Sequence, residues 1–99
     1  MELPTLKYLD LSTAHITADD SQKLSDPDVF GEAGLSVYEN DYGWFIPVSG
    51  YDDLVAKVQQ AGMSEAFVEL IRLCKAQGIE LIRLDCDAPV IEGLPVFDW

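Results

Sequence analysis

The chain has 99 residues, enough for one domain over 1–99 whose folding removes roughly 65% of the unfolded chain's surface from water. Its 18 acidic and 6 basic side chains give a net charge of −12, which excludes direct binding of nucleic acid or anionic lipid and favours a basic protein partner. Two cysteines are too few for a disulfide framework and no long apolar segment is present, so we expect a cytoplasmic protein with reduced thiols and no membrane-spanning segment.

The chain begins with a strand and a short helix. Apolar side chains occupy both sides of the run at 5–12, which predicts a strand that is buried on both faces or central in its sheet. Thr17 is a typical helix N-cap residue, and acidic residues in the following turn favour the positive end of the helix dipole. We expect this helix to end before Pro27, because the residue before a proline avoids helical backbone angles. Residues 25–34 are therefore predicted to form a loop.

A hairpin follows this loop. The runs at 35–40 and 44–49 are rich in β-forming residues, and the short connection between them contains Gly43. Pro47 cannot donate a hydrogen bond to a neighbouring strand, so one side of the second run should face solvent or a bulge.

The second half of the chain contains two helices, a strand and a tail. A helix opened by Asp52 and Asp53 should end at Gly62, and a longer helix capped by Ser64 should end at Gly78. The run at 79–86 is the last strand. Two prolines and a glycine predict that 85–99 is an irregular tail that wraps the body, with three apolar anchors: Val96, Phe97 and Trp99.

The element order β-α-β-β-α-α-β predicts an α+β fold with a four-stranded mixed or antiparallel sheet and its helices on one face. Two arrangements are open. In a ferredoxin-like arrangement the first and last strands are antiparallel, and His15 and Asp85 lie at opposite ends of the sheet. If the two strands are parallel, four side chains converge at one edge: Asp10, His15, Asp85 and Asp87.

The convergent arrangement would allow a divalent metal site, or a general base at His15 oriented by a carboxylate. No paired-histidine helix, CxxC motif or calcium loop supports such a site. The simpler interpretation is that His15 binds backbone groups after the strand and that Asp87 forms a turn. We therefore expect no catalytic residue, no metal and no cofactor.

Most of the negative charge lies between positions 17 and 53, where nine acids face Lys23 alone. Aromatic residues around the hairpin tip are candidates for exposure among these carboxylates, as on a surface that grips cationic partners. The predicted partner-binding residues are Asp19, Asp20, Asp26, Asp28, Glu32, Glu39, Asp41, Tyr42, Trp44, Asp52 and Asp53.

Three stretches, LDLSTAHIT, VYENDYGWFIPV and LDCDAPVIEGLPVFDW, resemble an uncharacterised family of short acidic bacterial proteins carried on plasmids and phages. The likeness spans most of the chain, and the last stretch is the most specific. It implies the context of mobile elements, which also carry inhibitors of host defence. The motif residues are Ser12, Thr13, His15, Tyr42, Gly43, Trp44, Asp85, Asp87, Gly93, Leu94, Pro95, Asp98 and Trp99.

These observations predict a binding protein without catalysis. Our hypothesis is an inhibitor of the anti-CRISPR or anti-restriction type, whose carboxylates replace phosphates in a basic nucleic-acid-binding site of a host defence complex. One alternative is a small metal-dependent or histidine-based enzyme using His15, Asp10, Asp85 and Asp87. Another is an antitoxin-like regulatory partner of a neighbouring protein. The partner's identity and the oligomeric state are not predicted.

Overall fold

Four short strands form a mixed sheet in the computed structural model, which describes all 99 residues. The strand order is β1-β4-β3-β2, and β1 runs parallel to β4, whereas β4 with β3 and β3 with β2 are antiparallel. The predicted α+β class with a mixed four-stranded sheet is confirmed, and the parallel arrangement is the one adopted. The strands are β1 (Tyr8–Ser12), β2 (Tyr38–Asn40), β3 (Gly43–Pro47) and β4 (Leu81–Asp85).

Four helices cover one face of the sheet, and a 3-10 turn at Thr13–His15 follows β1. The buried core joins their apolar sides to alternate side chains of the strands, including Leu11, Ile46, Ile82 and Leu84. The opposite face carries the intervening side chains and is not covered by a helix. The prediction that the first strand is buried on both faces or central is therefore wrong, because β1 lies at an edge of the sheet and exposes Tyr8 on this face. The helices are α1 (Ala18–Leu24), α2 (Pro27–Glu32), α3 (Leu54–Gln60) and α4 (Glu65–Ala76).

The prediction of a loop over 25–34 is wrong, because α2 lies within it. Asp26 caps this helix by accepting a hydrogen bond from the Asp28 amide, and Pro27 occupies its first position, where a missing N–H costs nothing. The buried Phe30 side chain joins the helix to the core. A proline was therefore the start of a helix as well as the end of the preceding one.

The other helix boundaries follow their capping residues. Thr17 and Ser64 cap α1 and α4 as predicted, and α3 begins after its cap Asp53. Gly62 and Gly78 follow α3 and α4 with positive φ angles of 82° and 69°, which a glycine adopts without steric cost. The longest helix, α4, has 12 residues, and no helix combines the length and the apolar character needed to cross a membrane.

Residues 86–99 contain no helix or strand. Backbone and side-chain hydrogen bonds nevertheless join this tail to the turn after β1, since the Phe97 amide donates to the Ala14 carbonyl and the Trp99 indole donates to the Ile16 carbonyl. Ile91 and Leu94 pack against the core. Val96 and Trp99 are both exposed, so neither is an apolar anchor, and Trp99 is held through its indole hydrogen bond.

Candidate functional site

The nine acids between positions 17 and 53 fall into three classes by burial and hydrogen bonding. One carboxylate is buried, four are exposed and bind neighbouring groups, and four are exposed and make no hydrogen bond or ion pair. Asp20 is fully buried in α1. Its carboxylate accepts hydrogen bonds from the Thr17 amide at 3.2 Å, the Ser64 amide at 2.8 Å and the Ser64 hydroxyl at 2.6 Å. It therefore joins the first turns of α1 and α4. No partner can touch it in this structure, so it does not belong to the surface on which sequence analysis placed it.

Four further carboxylates are exposed but already serve a neighbour. Asp26 and Asp53 cap α2 and α3. Asp19 forms an ion pair with Lys23 at 2.6 Å, and Glu39 accepts a hydrogen bond from the Ser25 hydroxyl at 2.7 Å. These side chains contribute negative potential to the surface, but replacing them would also disturb local structure.

The remaining four carboxylates are exposed and make no hydrogen bond or ion pair: Asp28, Glu32, Asp41 and Asp52. The segments that carry them are in contact. The Trp44 indole donates to Ser25 beside α2, and the Ser36 amide donates to the Tyr51 hydroxyl next to α3. We call the eight exposed acids of this region the acidic surface: Asp19, Asp26, Asp28, Glu32, Glu39, Asp41, Asp52 and Asp53.

The two aromatic residues predicted to contact a partner differ in exposure. Tyr42 lies at the tip of the β2–β3 hairpin with 58% of its surface exposed. Trp44 is half-buried, packs against the core on the helix side of the sheet, and hydrogen-bonds to Ser25. Tyr42 can therefore be reached by a partner, whereas most of the Trp44 ring stabilises the junction between the hairpin and α1.

Parallel pairing of β1 with β4 brings three of the four edge residues together around a guanidinium. Arg83 donates to Asp85 at 2.6 Å and lies 3.7 Å from Asp10, while the Asp87 amide donates to Asp85 at 2.8 Å. The hydrogen bond to Asp85 raises the pKa of Arg83 above its ordinary value, and the charge of Asp10 adds to this effect. The oxygen Oδ1 of Asp10 is buried and accepts no hydrogen bond.

His15 does not join these carboxylates. It is 97% buried, its Nδ1 donates to the Pro95 carbonyl at 2.7 Å, and its Nε2 accepts from the Ile91 amide at 2.9 Å. A carbonyl only accepts and an amide only donates, so both ring nitrogens are occupied in a single neutral tautomer. The imidazole holds the C-terminal tail against the turn after β1, so His15 does not join the other three residues as the parallel alternative would have it, and the simpler interpretation, that it binds backbone groups, is confirmed.

The hairpin glycine is required by close packing against β4. A Cβ atom at Gly43 would lie 1.9 Å from the Leu84 carbonyl oxygen, a distance that no side chain can occupy. Gly43 pairs with Asp85 in the sheet, so the Tyr-Gly-Trp motif places Tyr42 directly beside the carboxylate cluster. This motif residue is thus explained by packing.

Possible ligand atoms for a metal ion occur in Asp85, Cys86 and Asp87, and they lie within 4.8 Å of one another. Both oxygens of Asp85 already accept hydrogen bonds, from Arg83 and from the Asp87 amide.

The other cysteine, Cys74, is buried in α4, and burial raises its pKa to about 11. A reactive thiolate at Cys74 is therefore disfavoured at neutral pH.

Sequence analysis did not identify Arg83 or the open face of the sheet on which it lies. This face presents Tyr8, Phe45 and Leu81 around the guanidinium, above a cavity of about 500 Å³. The signal in the sequence was the alternation in IELIRLD, where a charged residue interrupts an apolar strand and thereby marks a face without a helix.

A family model matches residues 8–99, and its description reads "Family of unknown function (DUF5983) C-terminal domain". The chain belongs to this family. The match begins at the first residue of β1 and covers every helix and strand, so the expectation of an uncharacterised family is confirmed. No curated protein and no solved structure matches the chain.

Proposed function

We propose that the protein binds a basic partner through its acidic surface and blocks a nucleic-acid-binding site of a host defence complex, as an inhibitor of the anti-CRISPR or anti-restriction type encoded by a plasmid or phage. The observation that carries the proposal is the set of exposed carboxylates without a partner, at Asp28, Glu32, Asp41 and Asp52. Within a monomer such groups add self-repulsion and no packing, whereas a cationic groove would compensate them.

The charge balance of the region supports this role. Eight exposed acids lie on the acidic surface, and the two lysines beside it are already engaged. Lys23 pairs with Asp19 and donates to the Gly62 carbonyl, while Lys57 points at the Ala33 carbonyl. The surface therefore presents nearly unopposed negative charge to an approaching protein. Association driven by such a field should weaken steeply as salt rises.

The test compares two triple variants with the same change in charge. The surface variant replaces Asp28, Glu32 and Asp52 by lysine, which leaves every helix cap and Asp20 intact. The control variant makes the same replacement at three exposed acids outside the acidic surface: Glu2, Glu92 and Asp98. Circular dichroism should show the same fold for both.

The assay is DNA cleavage by a panel of restriction endonucleases and CRISPR surveillance complexes, with and without each protein. We expect wild type and the control variant to reduce cleavage by at least one complex, and the surface variant to lose this effect. If both variants inhibit equally, or if wild type inhibits none of the complexes at low salt, the proposal is refuted.

A further inference from the structure

We propose that the open face of the sheet contains a binding site for an arginine or lysine side chain of a protein partner, between the Tyr42 ring and the carboxylates of Asp10 and Asp87. This inference deepens the proposed function and rests on it for the basic character of the partner. It assigns the contact to residues that lie mostly outside the acidic surface.

Two adjoining cavities form this site. One has a volume of about 500 Å³ and lies over Tyr8 and Phe45, and the other has a volume of about 390 Å³ and lies over Asp10 and Asp87. Tyr42, Arg83 and Asp85 line both, so the two cavities share one wall. We call the two adjoining cavities together the sheet-face hollow, lined chiefly by Tyr8, Asp10, Asp41, Tyr42, Phe45, Arg83, Asp85 and Asp87.

The charges in the hollow favour a cation. Four carboxylates face one guanidinium, and Arg83 is held by Asp85. The carboxylates of Asp10, Asp41 and Asp87 accept no hydrogen bond, and the buried Oδ1 of Asp10 has only the Arg83 guanidinium beside it, at 3.7 Å. A guanidinium or ammonium group entering the hollow would donate hydrogen bonds to the exposed oxygens of these carboxylates.

The aromatic rings favour the same ligand. Tyr42 and Tyr8 are 58% and 56% exposed beside these carboxylates. Such rings attract a cation through their π faces, and the apolar Phe45 and Leu81 provide contact for the aliphatic part of an arginine or lysine side chain. A second copy of this chain or a nucleic acid would instead meet like charge, since the net charge is −12.

The probe is an acetylated, amidated tetra-arginine peptide, with tetra-lysine and a neutral glycine-serine peptide for comparison. Each is titrated into the ¹⁵N-labelled protein at 20 and 150 mM NaCl and followed by amide chemical shifts. We expect both cationic peptides to shift amides around the hollow, and the neutral peptide to shift none.

Three variants locate the contact. Tyr42→Leu keeps an apolar side chain and should weaken tetra-arginine binding by about two- to fivefold, as loss of an exposed cation–π contact predicts. The pair Asp10→Asn with Asp87→Asn should weaken binding more than the pair Asp28→Asn with Asp52→Asn, which removes the same charge from the acidic surface. The amide spectrum of each variant verifies its fold. Since Tyr42 is largely exposed, its replacement provides a test even if Asp10→Asn unfolds the chain.

Several results would overturn the inference: equal weakening by both pairs, shifts confined to α1 and α2, no effect of Tyr42→Leu, or no binding at 20 mM NaCl. The lysine triple variant of the acidic surface contains no residue of the hollow, so the two proposals can fail separately. If that variant still inhibits, the proposed function fails whatever the peptides do. If it loses inhibition while the peptides ignore the hollow, only the hollow is refuted.

Discussion

Replacement of Asp20 by alanine should destabilise the protein strongly, although the residue lies in the most acidic part of the chain. Its carboxylate is the shared acceptor for the first turns of α1 and α4. With alanine, the amides of Thr17 and Ser64 lose their acceptor. A buried donor left without a partner costs about 1–3 kcal/mol, so two donors together cost about 2–6 kcal/mol.

Partial exposure of Thr17 and Ser64 lets water replace some of this loss, which favours the lower part of the range, about 2–4 kcal/mol. In a domain of this size each kcal/mol corresponds to about 4–8 °C in Tm, so the expected fall is about 8–30 °C. Asp20→Asn keeps one acceptor oxygen and should fall between the wild type and the alanine variant.

The measurement is urea unfolding followed by far-UV circular dichroism, with thermal unfolding as a second observable. The midpoint should fall while the slope with denaturant stays constant, which indicates a change in stability and not in the unfolding mechanism. Asp19→Ala is the matched control, because it removes an acid from the same helix turn but breaks only an exposed ion pair. Its effect should stay within about 1 kcal/mol.

Equal midpoints for Asp20→Ala and Asp19→Ala would refute this reasoning. Such a result would mean that the buried carboxylate costs as much to desolvate as its three hydrogen bonds return. It would also weaken the conclusion that Asp20 stabilises the fold, and a role in binding a partner would again be open.

Gly43→Ala should destabilise the protein by more than about 2 kcal/mol, because its Cβ would overlap the backbone of β4. Gly31→Ala is the control and should not have this effect, because a Cβ at Gly31 meets nothing within 4 Å. Similar urea midpoints for the two variants would contradict the packing explanation. His15→Ala should speed amide hydrogen exchange in the C-terminal tail while α4 keeps its protection, and unchanged tail exchange would show that the imidazole does not hold the tail. At pH 8 a thiol reagent should modify the exposed Cys86 and spare Cys74, whose pKa burial raises to about 11. The pKa of the Cys74 thiol is 9.0 without burial, so the folded state holds the proton more tightly than the unfolded chain does. The free energy of unfolding should therefore also fall as pH rises above about 9. Reaction of both thiols at equal rates in the native state would contradict the burial of Cys74.

Local sequence signals were sufficient for most elements. The caps Thr17 and Ser64, the stop at Gly78 and the alternation in the strands act within a few residues, so they can be read from neighbouring positions. The missed helix at Pro27–Glu32 shows the limit of such signals. Pro27 is compatible both with a loop and with a first helical turn, and the burial of Phe30 against distant residues decides between them.

The hydrogen-bond partners of His15 and Asp20 could not be predicted from neighbouring positions in the sequence. His15 binds a tail about 80 residues away, and Asp20 binds Ser64, 44 residues away. A carboxylate has the same chemistry on a surface and in a core, so composition placed Asp20 on the partner-binding surface, whereas for His15 it predicted contacts with backbone groups without saying which ones. Contacts between distant residues bury Asp20 and bind His15 to the C-terminal tail. The pairing of the strands places Arg83 among the carboxylates of Asp10 and Asp85.

By itself the sequence determined the class of fold, the large excess of negative charge and the short-range stops and caps, because each depends on residue type or on spacing within one turn. The tertiary structure decided that β1 and β4 are parallel, which carboxylates are free, and which sheet face is open. Pairing of β1 with β4 requires the chain between them, tens of residues long, to close into a loop. The contacts that compensate the entropy cost of this closure are distributed over the whole core, so no single segment of the sequence encodes the pairing.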